Sequence, residues 1–121
     1  MAFAAIKIEE CAVHESRFRD GDKYWLATQL IEQAKDLPVV EIPLCAIPTG
    51  SKVWEPIQSA HQLTRHMKRV LNTDLNYPII LNEEGFIMDG WHRVTKALLE
   101  GRETIKAVRF EKTPPPDMQG E

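Results

Sequence analysis

The sequence predicts an α/β protein of the α+β class, in which a small mixed sheet is packed against helices. The chain has 121 residues, of which 43% are hydrophobic and 27% are charged, as expected for one globular domain. Three segments repeat apolar residues at intervals of three and four, the spacing of an amphipathic helix. Short apolar runs between these segments are typical of strands, so the two kinds of element share one domain.

The first 38 residues are interpreted as an N-terminal extension with one helix over about residues 23–36. Asp22 is a candidate N-cap, and the helix should end before Pro38 because the residue preceding proline disfavours helical dihedral angles. The apolar stripe of this helix is formed by Tyr24, Ala27, Leu30, Ile31 and Ala34. A short strand over residues 5–8, followed by a loop, is expected before it.

The middle of the chain predicts a buried strand over residues 39–44 and then a second helix. Cys45 continues the apolar run and is interpreted as a reduced core residue. Ser59 is a candidate N-cap for the helix. Its expected buried stripe is formed by Ala60, Leu63, Met67, Val70 and Leu71. Trp25 and Trp54 are interpreted as packing residues.

A β-hairpin is predicted from two apolar runs, residues 78–81 and 86–88, which flank an Asn-Glu-Glu-Gly turn. Its second strand leads directly into Asp89-Gly90 and a third helix over about residues 91–100. Gly101 supplies the C-terminal stop of that helix. Residues 104–110 resemble a strand, and residues 112–121, with three consecutive prolines, are expected to form a disordered tail.

Cysteine and histidine spacing predicts no structural metal. Cys11 and Cys45 form neither a disulfide framework nor a zinc-knuckle spacing. His61 and His66 are five residues apart and therefore do not form a ligand pair on one helix face.

Nothing in the sequence predicts a membrane span or a signal peptide. No stretch approaches the roughly 18 to 20 apolar residues that a transmembrane helix needs. The apolar N-terminus is short, and Glu9 and Glu10 follow it at once. We therefore expect a cytoplasmic protein that does not associate with membranes.

Charge is distributed unevenly along the chain. The formal net charge is -3, yet the interval from Pro56 to Thr73 contains no acidic residue. The same interval contains His61, Arg65, His66, Lys68 and Arg69. A basic helix in an acidic protein indicates a local site for an anion.

The Asp89-Gly90-Trp91-His92-Arg93 segment is the strongest candidate for that site. The first N–H groups of a helix lack internal partners and lie at the positive end of its dipole. Gly90 would leave room for a phosphate, and the side chains of His92 and Arg93 could donate to it. Asp89 could cap the helix, pair with Arg93 or hold Mg²⁺. The alternative is a common Asp-Gly turn followed by solvated side chains.

This motif and its setting resemble the ParB/sulfiredoxin superfamily. The likeness rests on Asp89-Gly90-Trp91-His92-Arg93-Val94-Thr95-Lys96-Ala97-Leu98, on the Pro78-Ile79-Ile80-Leu81 strand with the Gly85 turn, and on the strand from Val40 to Pro48. It covers about residues 39–110. It implies a ParB/sulfiredoxin-like domain over residues 39–111, with a small mixed sheet and packed helices.

The resemblance implies binding of ATP, ADP or CTP, with Mg²⁺ accompanying the nucleotide. By position, Gly90, His92 and Arg93 would contact phosphate. Trp91 would either flank the ligand or pack beneath the helix. Further polar contacts would come from the second helix, through Ser59, His61, Thr64 and Arg65.

Several features of the sequence differ from the family pattern and limit the activities that we expect. Sulfiredoxins carry a catalytic cysteine where this chain has Trp91, so sulfinic acid reduction is excluded. No helix-turn-helix domain of the ParB type is expected after the last strand. The Asp-Gly-x-His-Arg form is nearest to free serine kinases of this fold, which use a glutamate before the basic helix as base. Glu55 would take that role, with Asp89 and His92 as further catalytic candidates.

We therefore expect a nucleotide-binding domain, with phosphoryl transfer or nucleotide hydrolysis as candidate activities and a phosphorylated small molecule as a candidate ligand. A non-catalytic regulator or inhibitor that binds a partner protein is the alternative. Nucleic-acid binding or cleavage is the third hypothesis, and the negative net charge makes it weaker than the other two. A homodimer is compatible with the resemblance.

Overall fold

The computed structural model describes residues 3–54 and 56–119 and confirms an α+β fold. The strands are β1 (Arg17–Asp20), β2 (Lys23–Leu26), β3 (Val40–Pro43), β4 (Ile79–Leu81), β5 (Ile87–Asp89), β6 (Thr104–Arg109) and β7 (Met118–Gln119). The α-helices are α1 (Ala27–Ala34), α2 (Ala60–Asn72) and α3 (Trp91–Leu99). Two short 3₁₀ turns lie at Val13–Glu15 and Leu44–Ala46. Within the described ranges, no helix has the length and apolar character needed to cross a membrane.

The central sheet has four strands in the order β3-β6-β4-β5. Strands β4 and β6 are parallel and are connected through α3, whereas β3–β6 and β4–β5 are antiparallel. The predicted hairpin is confirmed: Asn82 closes its turn because its side-chain oxygen accepts hydrogen bonds from the amides of Glu84 and Phe86. The hairpin delivers β5 directly to the start of α3.

Both faces of this sheet are buried, each by a different helix. Side chains alternate across a strand, so Ile79 and Leu81 lie on one face and Ile80 on the other. Val94 and Ala97 of α3 cover the first face, and Leu30 and Ala34 of α1 cover the second together with Trp25. Residues 1–38, predicted as an extension, therefore contribute one of the packing layers.

The helix predicted over residues 23–36 is corrected at its start. Lys23–Leu26 is strand β2, paired antiparallel with β1, and α1 begins only at Ala27. The apolar spacing from Tyr24 onward fitted a helix, but Trp25 is buried from a strand and packs against Phe18. No strand forms over residues 5–8; at the end of this segment the side chains of Lys68 and Arg65 on α2 donate to the carbonyls of Ile8 and Glu9.

The predicted disordered tail is also wrong as far as Gln119. Strand β7 pairs with β2 and adds a third strand to the β1-β2 sheet. The Trp25 indole donates to the carbonyl of Pro114 at 2.8 Å, and the Asp117 carboxylate accepts from the Leu26 amide at 2.9 Å. Polar anchoring and strand pairing thus order a segment whose composition is typical of disorder.

Helix α2 begins as predicted, with the Ser59 hydroxyl accepting from the Gln62 amide, but its expected buried stripe is wrong. Val70 is fully buried, whereas Leu63, Met67 and Leu71 are exposed. Cys45 is likewise exposed rather than in the core, and Cys11 is the buried cysteine. Helix α2 therefore contacts the rest of the protein along a narrower line than its apolar pattern indicated.

Candidate functional site

The start of α3 is shaped by the close approach of Gly90 to the central sheet. Gly90 is the N-cap, with a φ of 117°, a left-handed conformation that glycine adopts without strain. A Cβ at this position would lie 2.5 Å from Cγ2 of Ile79 and 2.8 Å from its Cβ. Glycine is therefore required here for packing against β4, a reason different from the phosphate clearance that the sequence suggested.

Asp89 and Arg93 form an ion pair beneath this helix start. Arg93 donates through an Nη atom to Asp89 at 3.0 Å, and the two side chains are only 11% and 15% exposed. Burial raises the pKa of the Asp89 carboxyl in spite of Arg93, and burial also lowers the pKa of Arg93. Within the described residues, the buried Nε of Arg93 has no hydrogen-bond partner. Arg93 thus has one donor committed to Asp89 and another uncommitted.

A narrow cavity of about 10 Å³ opens at the same place. It is lined by Ser16, Arg69, Thr73, Asp89, Gly90, His92 and Arg93. Among the residues described, none accepts a hydrogen bond from the amides of Trp91, His92 or Arg93, the first three of α3. The positive end of the α3 dipole therefore faces this cavity with its donors free.

Arg69 of α2 also lines this cavity. It is half-buried, and in the described part of the chain its side chain has neither a salt bridge nor a hydrogen bond. Its charge lowers the pKa of both Asp89 and His92, which places it near the start of α3. Its guanidinium remains available to an anion.

The His92 ring turns toward α2 rather than toward an open ligand site. Its Nε2 lies 3.0 Å from Nδ1 of His66, and the indole of Trp54 stacks on both imidazoles. Burial, with His66 and two arginines nearby, lowers the pKa of His92 to about 4. The imidazole is therefore neutral at pH 7 and adds no positive charge to the site.

The basic residues of α2 are largely occupied by the N-terminal segment. Arg65 pairs with both carboxylate oxygens of Glu15 at 2.7 and 2.8 Å and also donates to the carbonyl of Glu9. Lys68 donates to the carbonyl of Ile8. The positive charges of Arg65 and Lys68 are thus balanced by oxygen acceptors that lie 50 to 60 residues away in the sequence.

The other predicted site residues of α2 do not line the cavity at the α3 start. Ser59 caps its own helix, and the Thr64 hydroxyl donates to the carbonyl of Ala60. His61 is exposed, and Trp91 packs partly buried against the core beneath α3. Glu55, the predicted base, lies outside the described residues.

Cys11 and Trp54 are site residues that the sequence did not predict, and His66 and Arg69 were predicted only as members of the basic second helix. His66, Arg69 and Thr73 recur at intervals of three and four, so one face of α2 could have been read as facing α3. No sequence signal connects Cys11 or Trp54 to that face. Both reach it only through the fold.

A larger cavity of about 710 Å³ lies at the other end of α3. Some of its charged side chains have local partners: Lys96 donates to the carbonyls of Leu71 and Thr73 at the end of α2, and Arg102 pairs with Glu100. These contacts give those three side chains a structural role. They do not indicate a particular ligand.

Fold and site together define an α+β protein with a cationic helix start beside a buried cluster of histidine and cysteine. Comparison with known proteins finds no family model, no curated protein and no solved structure that matches this chain.

Proposed function

We propose that this protein binds a phosphorylated small molecule, of the nucleotide class, with a phosphate group at the start of α3. The observation that carries the proposal is that three amides at the start of α3 and the nearby guanidinium of Arg69 have no hydrogen-bond partner among the described residues. Backbone amides at a helix start are well suited to bind phosphate oxygens. The ParB/sulfiredoxin resemblance supports ATP, ADP or CTP as the ligands to test first.

The charge balance at this point favours an anion. Arg69 and Arg93 contribute two positive charges, Asp89 contributes one negative charge, and neutral His92 contributes none, so the cluster carries +1. The α3 dipole adds further positive potential. Asp89 holds one donor of Arg93, which leaves Arg69 and the Arg93 Nε as the cationic donors for the ligand, beside the hydroxyls of Ser16 and Thr73.

The small volume of the cavity limits how a phosphate could sit. About 10 Å³ admits roughly one oxygen-sized group, since a water molecule needs a similar volume. One phosphate oxygen would therefore enter between Arg69 and the amides, while the rest of the ligand stays outside. His92 would contribute its amide rather than its ring.

Mg²⁺ would be held mainly by the ligand. Among the residues that the structure describes, Asp89 is the one carboxylate lining this cavity, and Arg93 already occupies one of its oxygens. A protein site for Mg²⁺ usually needs more oxygen ligands than this, so phosphate oxygens and water would complete its shell. Phosphoryl transfer remains part of the proposal, with the predicted base Glu55 as its catalytic residue. The test is the rate of phosphate release from ATP, which should be lower for Glu55→Gln than for the wild type.

The test is ligand binding by wild-type protein and by Arg69→Ala. Thermal unfolding and calorimetric titration are measured with ATP, ADP, CTP and pyrophosphate, with and without Mg²⁺. We expect at least one of these ligands to raise the melting temperature of the wild type, because a ligand that binds only the folded state stabilises it. Arg69→Ala should weaken binding about tenfold or more, as loss of a charge-assisted contact of about 1.5 to 3 kcal/mol predicts.

Arg102→Ala is the matched control. It removes the same charge from an exposed arginine near the C-terminal end of α3, so its affinity should equal that of the wild type. Equal loss of affinity in Arg69→Ala and Arg102→Ala would show that binding depends only on the overall charge of the protein. Absence of stabilisation by every ligand at millimolar concentration would overturn the proposal.

A further inference from the structure

Three potential metal ligands from distant parts of the chain meet beside α2. Cys11 lies in the N-terminal segment, His66 in α2 and His92 in α3. The Cys11 Sγ, His66 Nδ1 and His92 Nε2 atoms all lie within 4.8 Å of one another. The Sγ–Nδ1 distance is 3.6 Å, and the Nδ1–Nε2 distance is 3.0 Å. The fold thus gathers one thiol and two imidazoles at a single point.

The two histidine rings present their nitrogens to each other edge to edge. Their planes differ by 17°, their centroids are 5.2 Å apart and the two nitrogens are 3.0 Å apart, the separation of a hydrogen-bonded pair. One proton therefore lies between the two rings.

Two of the three separations are close to those that a tetrahedral metal ion imposes, and the third, between Cys11 Sγ and His92 Nε2, is within 4.8 Å. With metal–nitrogen bonds of about 2.0–2.1 Å and a metal–sulfur bond of about 2.3 Å, tetrahedral ligands lie about 3.4 Å (N to N) and about 3.6 Å (S to N) apart. The Cys11–His66 distance already fits. The two rings need to separate by about 0.4 Å and to turn so that their lone pairs converge.

The surroundings hold the ligands in place and shield them from water. The Trp54 indole stacks on His66 and His92, with ring centroids 4.3 and 4.6 Å apart. The Cys11 amide donates to the carbonyl of Arg65, which fixes an otherwise irregular segment against α2. Cys11 is 9% exposed, and His66 and His92 are half-buried.

We propose that Cys11, His66 and His92 bind one transition-metal ion of the Zn²⁺ class, leaving the fourth coordination position to water or a small anion. Thiolate and imidazole ligands select such ions over Mg²⁺ and Ca²⁺. Three protein ligands with one open position are typical of zinc sites that bind an exchangeable group. The proposal concerns different atoms from the phosphate site and does not depend on it.

The test uses the full chain after treatment with a chelator, titrated with Zn²⁺ and separately with Co²⁺. We expect one ion per chain, and the Co²⁺ form should show the visible bands of four-coordinate cobalt and a near-ultraviolet sulfur-to-cobalt charge-transfer band. Cys11→Ser should abolish the charge-transfer band and lower the affinity tenfold or more. His66→Gln should lower the affinity similarly while retaining the band at saturating Co²⁺.

Matched controls separate this site from incidental binding. Cys45→Ser and His61→Gln replace exposed residues of the same types, and both should bind metal as the wild type does. Arg69→Ala should also retain the metal, which distinguishes this site from the phosphate site. Far-ultraviolet circular dichroism verifies that each variant is folded. Lack of stoichiometric binding by the wild type, or equal loss in Cys45→Ser and Cys11→Ser, would overturn the proposal.

Discussion

Gly90 combines a backbone requirement with a packing requirement, and each can be measured. Its left-handed conformation disfavours any side chain, and a Cβ would collide with Ile79, including a 3.1 Å approach to the Ile79 Cα. Gly90→Ala should therefore lower the free energy of unfolding by about 3 kcal/mol, as strain and overpacking add. Chemical denaturation followed by circular dichroism measures this change.

Gly101→Ala is the comparison for Gly90→Ala. Gly101 also has a positive φ, of 69°, but a Cβ there would meet no atom within 4 Å. Its substitution should cost about 1 kcal/mol, from backbone strain alone. Equal destabilisation of the two variants would contradict the packing requirement at Gly90.

His92 should make stability fall with acidification. Burial is the main reason that its pKa drops from 6.5 to about 4, and His66, Arg69 and Arg93 lower it further. The unfolded chain therefore binds more protons than the folded one between these values, and stability decreases as the pH falls from about 6.5 towards 4. The loss should be on the order of 2 kcal/mol, below the full shift because the ring keeps some solvent access.

Denaturant titrations of metal-free protein at several pH values test this dependence. His92→Gln should have a flatter stability profile between pH 6.5 and 4, because the group that resists protonation is gone. His61→Gln should keep the wild-type profile, since His61 is exposed. If stability falls with pH as steeply in His92→Gln as in the wild type, the prediction is wrong.

At the scale of elements, two consecutive residues of α2 differ completely in burial. Val70 is completely buried, whereas its neighbour Leu71 is 62% exposed. Val70→Ala should lower the free energy of unfolding by about 1 to 3 kcal/mol through lost apolar contacts. Leu71→Ala should change it by less than about 0.5 kcal/mol, as expected for a surface position.

Thermal and chemical unfolding of the two α2 variants provide the measurement. The apolar pattern of α2 alone would place both residues in the core and predict similar losses. Comparable destabilisation of Val70→Ala and Leu71→Ala would therefore contradict the observed packing of this helix.

At the scale of the whole molecule, the N-terminal third is a structural layer. Without it, Ile80, Met88 and Val108 on the second face of the central sheet would lose Trp25 and the apolar face of α1. We expect a chain that begins at Val39 to lack a cooperative unfolding transition. Differential scanning calorimetry and the near-ultraviolet circular dichroism spectrum measure this.

A shorter deletion serves as its control. Removal of residues 1–6 takes away Phe3 and Ile6, which are 89% and 86% exposed, and should leave stability almost unchanged. A cooperative transition in the chain that begins at Val39 would contradict this expectation and would show that the predicted domain over residues 39–111 folds without the N-terminal layer.

Local features of the sequence were sufficient for the hairpin and α3. The Asn82 turn and the Gly101 stop act within a few residues, so their physics is visible in the sequence. Strand β2 was mistaken for helix because periodicity cannot show that Trp25 packs from a strand. The order of residues 112–119 was missed for a similar reason: its anchors, Trp25 and Leu26, lie about 90 residues away.

The sequence by itself determined the α+β class, the helix start after Asp89-Gly90 and the cationic character of α2, because these depend on neighbouring residues. Only the tertiary structure decided which of those charges stay free. It pairs Arg65 with Glu15, gives the Arg69 side chain no partner among the described residues, and brings Cys11 to His66 and His92. Ion pairing and metal ligation depend on distances of a few ångströms between residues far apart in the chain, and chain folding alone sets those distances.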